Sequence, residues 1–489
     1  MYTDTRLGKE RITLEMNKME AEDVVIGSGP CGYAAAKAII DAGRHPLIID
    51  FGSDPASSAA QIGKSATFAM KSDVGRTSVF GYPPQLITST DGKHLPLSNA
   101  RGGLSTIWGA GILCRGIGEN PQMAKIWPGV ELGYQKLLQA IPHVGSVDMT
   151  SLRFPWPEGT DKAPQSDRFK LLTESLQKTS KGVLFGWPRV ALDNQNNKCI
   201  RCGTCLHGCP LELFASSRKM LEDFETKGQC TLFTGPALKI EVDNERVAIK
   251  TPKYLISAKR IFIAAGPIAT PALLQRSSLI PSEIDVRDSA VFYTGFLNRI
   301  RPSGTESDYT SAHLVAYSDA GGRGDFQLAI YESNPEYMDR FAAIVPRVSR
   351  IAKAPKKLIS HLNAGIGFLD SSVSGSLKLV FKNGRTWVTR ISSKETHKSA
   401  NSVLKKVANV TAKSGLYRIP KLVIIPAPGS GYHSGASMPM GGELIGMDCS
   451  LRGAKGVYVV DASVLPEIWA GAHTFTAMAN AYRVVTESS

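Results

Sequence analysis

Three groups of residues carry types and spacings that chemistry could use. The first is Cys199, Cys202, Cys205 and Cys209, four of the eight cysteines within eleven residues, while Cys31, Cys114, Cys230 and Cys449 are scattered singly. Cys-x2-Cys-x2-Cys-x3-Cys-Pro is the bacterial ferredoxin spacing, in which a tight loop wraps its thiolates around iron and sulfide. Gly203 and Gly208 relieve crowding there and leave backbone amides free to bond sulfur. A zinc knuckle or a metal-free cysteine loop is the alternative. In two-cluster ferredoxins the fourth cysteine serves the other cluster, and this chain has no second run. Either Cys209 closes the site, a distant thiol does, or only three irons are kept; a four-iron cluster on all four cysteines is the expectation.

The second group is Gly27-Ser28-Gly29-Pro30-Cys31-Gly32, which follows a short β-branched run and opens an Ala-rich helical stretch ending at Gly43. A second apolar run then closes on Asp50. Gly27 suits the tight turn, Gly29 close approach to a pyrophosphate, and Gly32 close packing of helix on strand. The helix N-terminus would receive the phosphate charge, and Asp50 would accept bonds from a ribose. Three glycines at this spacing arise by chance about 0.4 times in such a chain, so the strand, helix and acid around them carry the dinucleotide reading. They do not separate FAD from NAD.

The elements that must position these groups come from a chain of 489 residues, 43% hydrophobic and 20% charged, enough for a composite fold with a large core. No segment approaches the roughly 20 apolar residues that span a bilayer. The first 20 residues resemble neither a secretory signal nor a transit peptide, so a cytoplasmic location is expected, with peripheral membrane contact as an option. The net charge of +14 favours acidic partners or substrates. Arg347, Arg350, Lys353, Lys356 and Lys357, and Lys394, Lys398, Lys405, Lys406 and Lys413, read as solvated basic faces, and nothing supports nucleic-acid binding.

Residues 238–249, 254–257 and 259–264 read as strands. Asn383-Gly384 predicts a hairpin between 377–381 and 386–388. Ser392 and Glu395 form a candidate capping box for a helix with Ala400, Val403, Leu404, Val407 and Val410 on one face and Gly415 as its stop.

The third group lies near the C-terminus: Tyr432-His433-Ser434-Gly435, residues 456–466 with Asp461 and Ala462, and Gly471-Ala472-His473-Thr474 opening a small-residue helix. With the N-terminal glycines, Arg101-Gly102-Gly103-Leu104-Ser105-Thr106-Ile107-Trp108-Gly109 and Ala265-Gly266-Pro267, these segments resemble the glucose-methanol-choline (GMC) flavin oxidoreductase family. The resemblance runs from residue 23 to 485 and leaves residues 285–425 unmatched.

It implies an α/β fold, with a Rossmann-like FAD-binding domain over 21–120, 211–285 and 440–489. An inserted α+β substrate domain, an antiparallel sheet covered by helices, would take 121–198 and 286–439. The iron-sulfur loop would be 199–210, and 1–20 a tail. Gly27, Gly29, Pro30, Gly32 and Asp50 then correspond to the adenosine and pyrophosphate site. Arg101, Gly102, Gly103, Ser105, Thr106, Ala265, Gly266, Asp461, Ala462, His473 and Thr474 correspond to the rest of the FAD site. His433 and His473 take the catalytic positions, His433 as base and His473 as hydrogen-bonding partner, with exchange of roles left open. Ile107 stands where some members carry a flavin-linking histidine, which implies noncovalent FAD.

Cluster-bearing members are similar to FAD-dependent sugar dehydrogenases. The resemblance therefore implies oxidation of a sugar or polyol, anionic or neutral, with electrons leaving to a cytochrome, ferredoxin or quinone. Two alternatives stand beside it. One is a flavoenzyme running internal redox on a carbohydrate or natural-product intermediate; the other is an electron-transfer or scaffold protein without turnover.

Overall fold

The computed structural model describes residues 17–52, 86–93, 95–114, 127, 129–145, 166–179, 182–202, 205, 209–243, 246–300, 311–318, 325–332 and 360–488. Residues 1–16 of the expected tail 1–20, the basic tract 347–359, Gly203 and Gly208 lie outside them, while 17–20 belong to strand Asn17–Ile26 and not to a tail. Among the described residues no helix is long and apolar enough to cross a membrane.

The first sheet runs Thr231–Thr234, Leu47–Asp50, Asn17–Ile26, Tyr254–Ile263, Val247–Lys250 and Lys239–Val242, with Val457–Val459 also paired to Tyr254–Ile263. Its first four strands and Val457–Val459 are parallel. The residues read as strands 254–257 and 259–264 form one continuous strand, because Asn17–Ile26 pairs along its whole length. Within that pair, buried Asp23 accepts from Arg260 Nε (2.6 Å) and Arg44 Nη1 (2.5 Å). A buried carboxylate is tolerated where charged donors surround it. The helix Pro30–Asp41 packs against the C-terminal helix Thr474–Glu487. Helix Val130–Ala140 approaches the same C-terminal helix so closely that a Cβ at Gly133 would sit 2.2 Å from Ala479 O.

A second, six-stranded sheet is antiparallel throughout: Leu416–Arg418, Val291–Asn298, Leu362–Leu369, Phe326–Tyr331, Leu314–Ser318 and Val183–Gly186. Because successive strand residues point to opposite faces, Leu314, Ala316, Phe326, Leu328 and Ile330 share one face. They form a separate core with helices Asp167–Thr179 and Lys394–Thr411. This is the expected helix-covered antiparallel sheet.

The hairpin falls as its sequence requires, with Asn383 (φ 53°) and Gly384 (φ 70°) joining Ser376–Lys382 to Arg385–Ile391. The helix cap differs by one residue. Ser393, not Ser392, accepts from Glu395 N at 3.2 Å, so the helix begins at Lys394. A third sheet, absent from the sequence reading, orders Ser434–Gly435, Glu283–Asp288, Ser376–Lys382, Arg385–Ile391 and Ile87–Ser89.

Candidate active site

A cavity of about 510 Å3 is lined both by the ends of the first sheet's parallel strands and by the six-stranded sheet. Ligands of open α/β sheets bind outside the carboxyl ends of the strands, where Ile26, Asp50 and Ala264 line this cavity.

The glycine turn divides by job. Gly27 holds φ +102°, and a Cβ there would meet Ala264 O at 2.5 Å. Gly32 does not line the cavity; a Cβ on it would fall 1.9 Å from Gly27 O, so it is the close-packing glycine. Gly29 and Pro30 do line it, and nothing lies within 4 Å of the direction a Gly29 side chain would take. Open space at the N-terminus of the 30–41 helix fits a pyrophosphate. Asp50 accepts from Ser28 N (2.8 Å), Ser28 Oγ (2.6 Å) and Gly52 N (2.8 Å), while burial pushes its pKa up. Its carboxylate therefore fastens the turn besides lining the cavity.

The loop after residue 100 is only partly a lining. Gly103 and Ser105 line the cavity, whereas Arg101, Gly102 and Thr106 support it from behind. Arg101 Nη2 donates to Thr234 Oγ1 (2.9 Å), Gly102 N to Ser28 Oγ (2.7 Å) and Thr106 Oγ1 to Gly103 O (3.0 Å). Gly102 needs its left-handed φ of +88°, and a Cβ there would meet Arg218 N at 2.7 Å. Ala265, Gly266, Asp461, Ala462 and Thr474 all line the cavity. Asp461 is buried, with its pKa raised by that burial, and its oxygens accept from Gly266 N, Thr270 Oγ1 and Ser463 N.

His433 and His473 come together in the same cavity, ring centroids 5.4 Å apart and nearly perpendicular. Tyr432, at φ 58°, turns the chain into His433, whose carbonyl accepts from Ser289 N at 2.9 Å. Next to it, Ser434 Oγ donates to buried Asp288 (2.8 Å), fixing the segment to the third sheet. His473 caps the C-terminal helix, its carbonyl accepting from Ala477 N. Burial holds His433 down to about 3, with His473 as a second cause, and His473 down to about 4. Both are therefore neutral at pH 7, and His433 Nδ1 is buried with no hydrogen bond to a described residue.

Cys199, Cys202, Cys205 and Cys209 also converge, on a second cavity of about 20 Å3 with Leu192, Leu213 and Phe214 on its wall. All four are free thiols, and burial raises Cys199, with its three neighbours adding to the shift. Among the described residues, however, no set of three or more His, Cys, Asp or Glu side chains is arranged to hold a metal ion. Cys199, Cys205 and Cys209 are half-buried against the first sheet's core, and Cys202 is exposed.

The sequence reading missed Trp108, whose indole N–H donates to Ala215 O (2.9 Å) while its ring lines the large cavity. It also missed Tyr317, Gln327, Tyr331 and Phe368 on the facing sheet. Trp108 lay within a quoted motif; the others sit in the unmatched tract, where only strand register shows them to share a face.

Residues 329–481 match the family model described as GMC oxidoreductase. No curated protein matches the chain by sequence. Among solved structures, pyridoxine 4-oxidase from Mesorbium loti is similar, with a TM-score of 0.60 and 13% identity over 96% of this chain and 99% of that one. At that identity the likeness speaks for the fold.

Two glycine substitutions should separate packing from binding. Gly32→Ala should destabilise the protein by about 1–3 kcal/mol through overpacking, read as an earlier thermal transition. Gly29→Ala should keep its transition yet bind FAD at least about tenfold more weakly; wild-type FAD affinity would contradict the pyrophosphate site. For the imidazoles, ring NMR signals of His433 and His473 should stay in their neutral positions from pH 8 to 5, and a midpoint near the ordinary value of about 6.5 would contradict their burial.

Proposed function

We propose that this chain is an FAD-dependent oxidoreductase that oxidises an alcohol to a carbonyl compound. The observation that supports it best is the pair of buried, neutral imidazoles at 5.4 Å in a cavity continuous with a dinucleotide-binding turn. An imidazole that stays unprotonated at neutral pH can accept a hydroxyl proton. His433 takes that proton on a ring nitrogen, and His473 holds the alcohol oxygen by a hydrogen bond. Bound FAD supplies the two-electron acceptor for the hydride that leaves the carbinol carbon.

The remaining residues position and exclude. Gly27 to Pro30 would receive the pyrophosphate, and the N-terminus of helix Thr474–Glu487 would set a positive dipole end beside the ring system. Phe368, its ring centroid 4.3 Å from that of His433, helps keep water from the reacting centre. Ile107 lines the cavity and offers no nucleophile, consistent with noncovalent FAD.

A second reading adds an iron-sulfur cluster on Cys199, Cys202, Cys205 and Cys209, four-iron or three-iron, as an exit for electrons to an external acceptor. Its support is the ferredoxin spacing and the convergence of all four thiols on one cavity. No step above depends on it. The expectation of a sugar substrate finds no specific support in the site.

His433→Ala and His473→Ala should each slow anaerobic bleaching of the flavin by an alcohol at least about a hundredfold; a rate within twofold of wild type would reject the assigned role. Iron and sulfide analysis of anaerobically purified protein should find both in stoichiometric amount if the second reading holds, and zinc without iron would end it.

A further inference from the structure

The face of the six-stranded sheet turned toward the histidines has a composition of its own. Along Leu314–Ser318, Phe326–Tyr331 and Leu362–Leu369, alternation sends Val315, Tyr317, Ala329, Tyr331, Ile366 and Phe368 into the cavity, with Gln327 among them. Register places Tyr317 opposite Gln327 and Gln327 opposite Phe368. One row of side chains thus crosses the sheet and ends on Phe368, whose ring contacts His433.

Among the described residues Gln327 is the one amide in that wall. Its Oε1 accepts from Ala472 N at 3.3 Å, and Gly471, at φ +90°, is the residue that lets it approach: a Cβ there would lie 1.6 Å from the same oxygen. The oxygen is thereby committed to the peptide just before His473, and the amide nitrogen donates to no described residue. Among the described residues, the charged groups of the lining come from outside this sheet. Asp50, Asp461 and Arg276 belong to the nucleotide half; Arg189, whose carbonyl accepts from Ile112 N at 3.1 Å, is buried and interacts within the protein.

Resting on the alcohol-oxidising reading above, we infer that the alcohol accepted here is carried on a flat, apolar frame, with the Gln327 amide nitrogen as its hydrogen-bond donor. Tyr317 and Tyr331 bring hydroxyls to the wall, but a polyol would still set most of its own against valine, isoleucine and phenylalanine carbon, and each one left without a partner costs about 1–3 kcal/mol. An aromatic frame meets the same wall with ring-to-ring and ring-to-aliphatic contact. The surface that suits it disfavours the sugar expected from the sequence.

The test uses FAD-loaded protein under anaerobic conditions, with two readouts: perturbation of the flavin spectrum on binding, and bleaching. The probes are 4-methoxybenzyl alcohol, 4-methylbenzyl alcohol, which has the same ring without the oxygen acceptor, and D-glucose. Both benzyl alcohols should half-saturate at concentrations at least about tenfold below D-glucose. Gln327→Met should weaken 4-methoxybenzyl alcohol by about three- to tenfold, the range of one hydrogen bond, and leave 4-methylbenzyl alcohol within twofold. Tighter binding of D-glucose would overturn the apolar-frame inference. Equal weakening of the two benzyl alcohols would overturn the donor role and leave Gln327 as a tether of the His473 loop. Binding in the expected order without any bleaching would support this inference while sinking the oxidoreductase reading. If Gln327→Met fails to retain FAD, the wild-type order of the three probes and the same comparison in Gln327→Glu decide.

Discussion

The buried carboxylate of Asp461 ties together the segments from which the site is assembled. One of its oxygens accepts from Gly266 N at 2.8 Å and Thr270 Oγ1 at 2.5 Å, and the other from Ser463 N at 2.8 Å. These bonds join the turn after strand Tyr254–Ile263, the start of helix Ala269–Arg276 and the segment following strand Val457–Val459. Three donors offset much of the cost of burying such a group. From there a short ladder, Ala436 N to Ala462 O and Met438 N to Ser463 O, carries the register to the segment that bears His433. A residue read from the sequence as lining the cofactor site is thus equally the anchor for a catalytic candidate some thirty residues earlier.

The site also depends on the two sheets having separate cores. Each buries an apolar face elsewhere, the first against helices Pro30–Asp41 and Thr474–Glu487, the second against Asp167–Thr179 and Lys394–Thr411. The remaining face of the six-stranded sheet is therefore free to serve as a cavity wall. Its aromatic and aliphatic surface keeps the surroundings poor in polar groups, and that same environment lowers both imidazole pKa values.

What was legible in the sequence was local. The glycine turn, the Asn383-Gly384 hairpin and the helix ending at Gly415 each rest on one residue type whose backbone freedom or pattern is diagnostic. The cap shifted from Ser392 to Ser393 because adjacent serines offer the same hydroxyl and only backbone geometry chooses between them. The third sheet was illegible because it pairs Ile87–Ser89 with Thr386–Val388, about three hundred residues away. Gln327 was hidden for the same reason: its neighbours Tyr317 and Phe368 are set by register across strands. The cysteine run was legible as spacing alone, which brought four thiols to one cavity.

The central claim is that one cavity holds a flavin dinucleotide with its reactive ring before His433 and His473, and a crystal structure of the FAD-loaded protein tests it most directly. The account predicts the pyrophosphate against Gly29 and Pro30 and the isoalloxazine ring beside the two imidazoles, leaving space for a substrate carbon at roughly 3–3.5 Å from the ring. A flavin bound with its ring turned away from both histidines, or density for the dinucleotide outside this cavity, would contradict it.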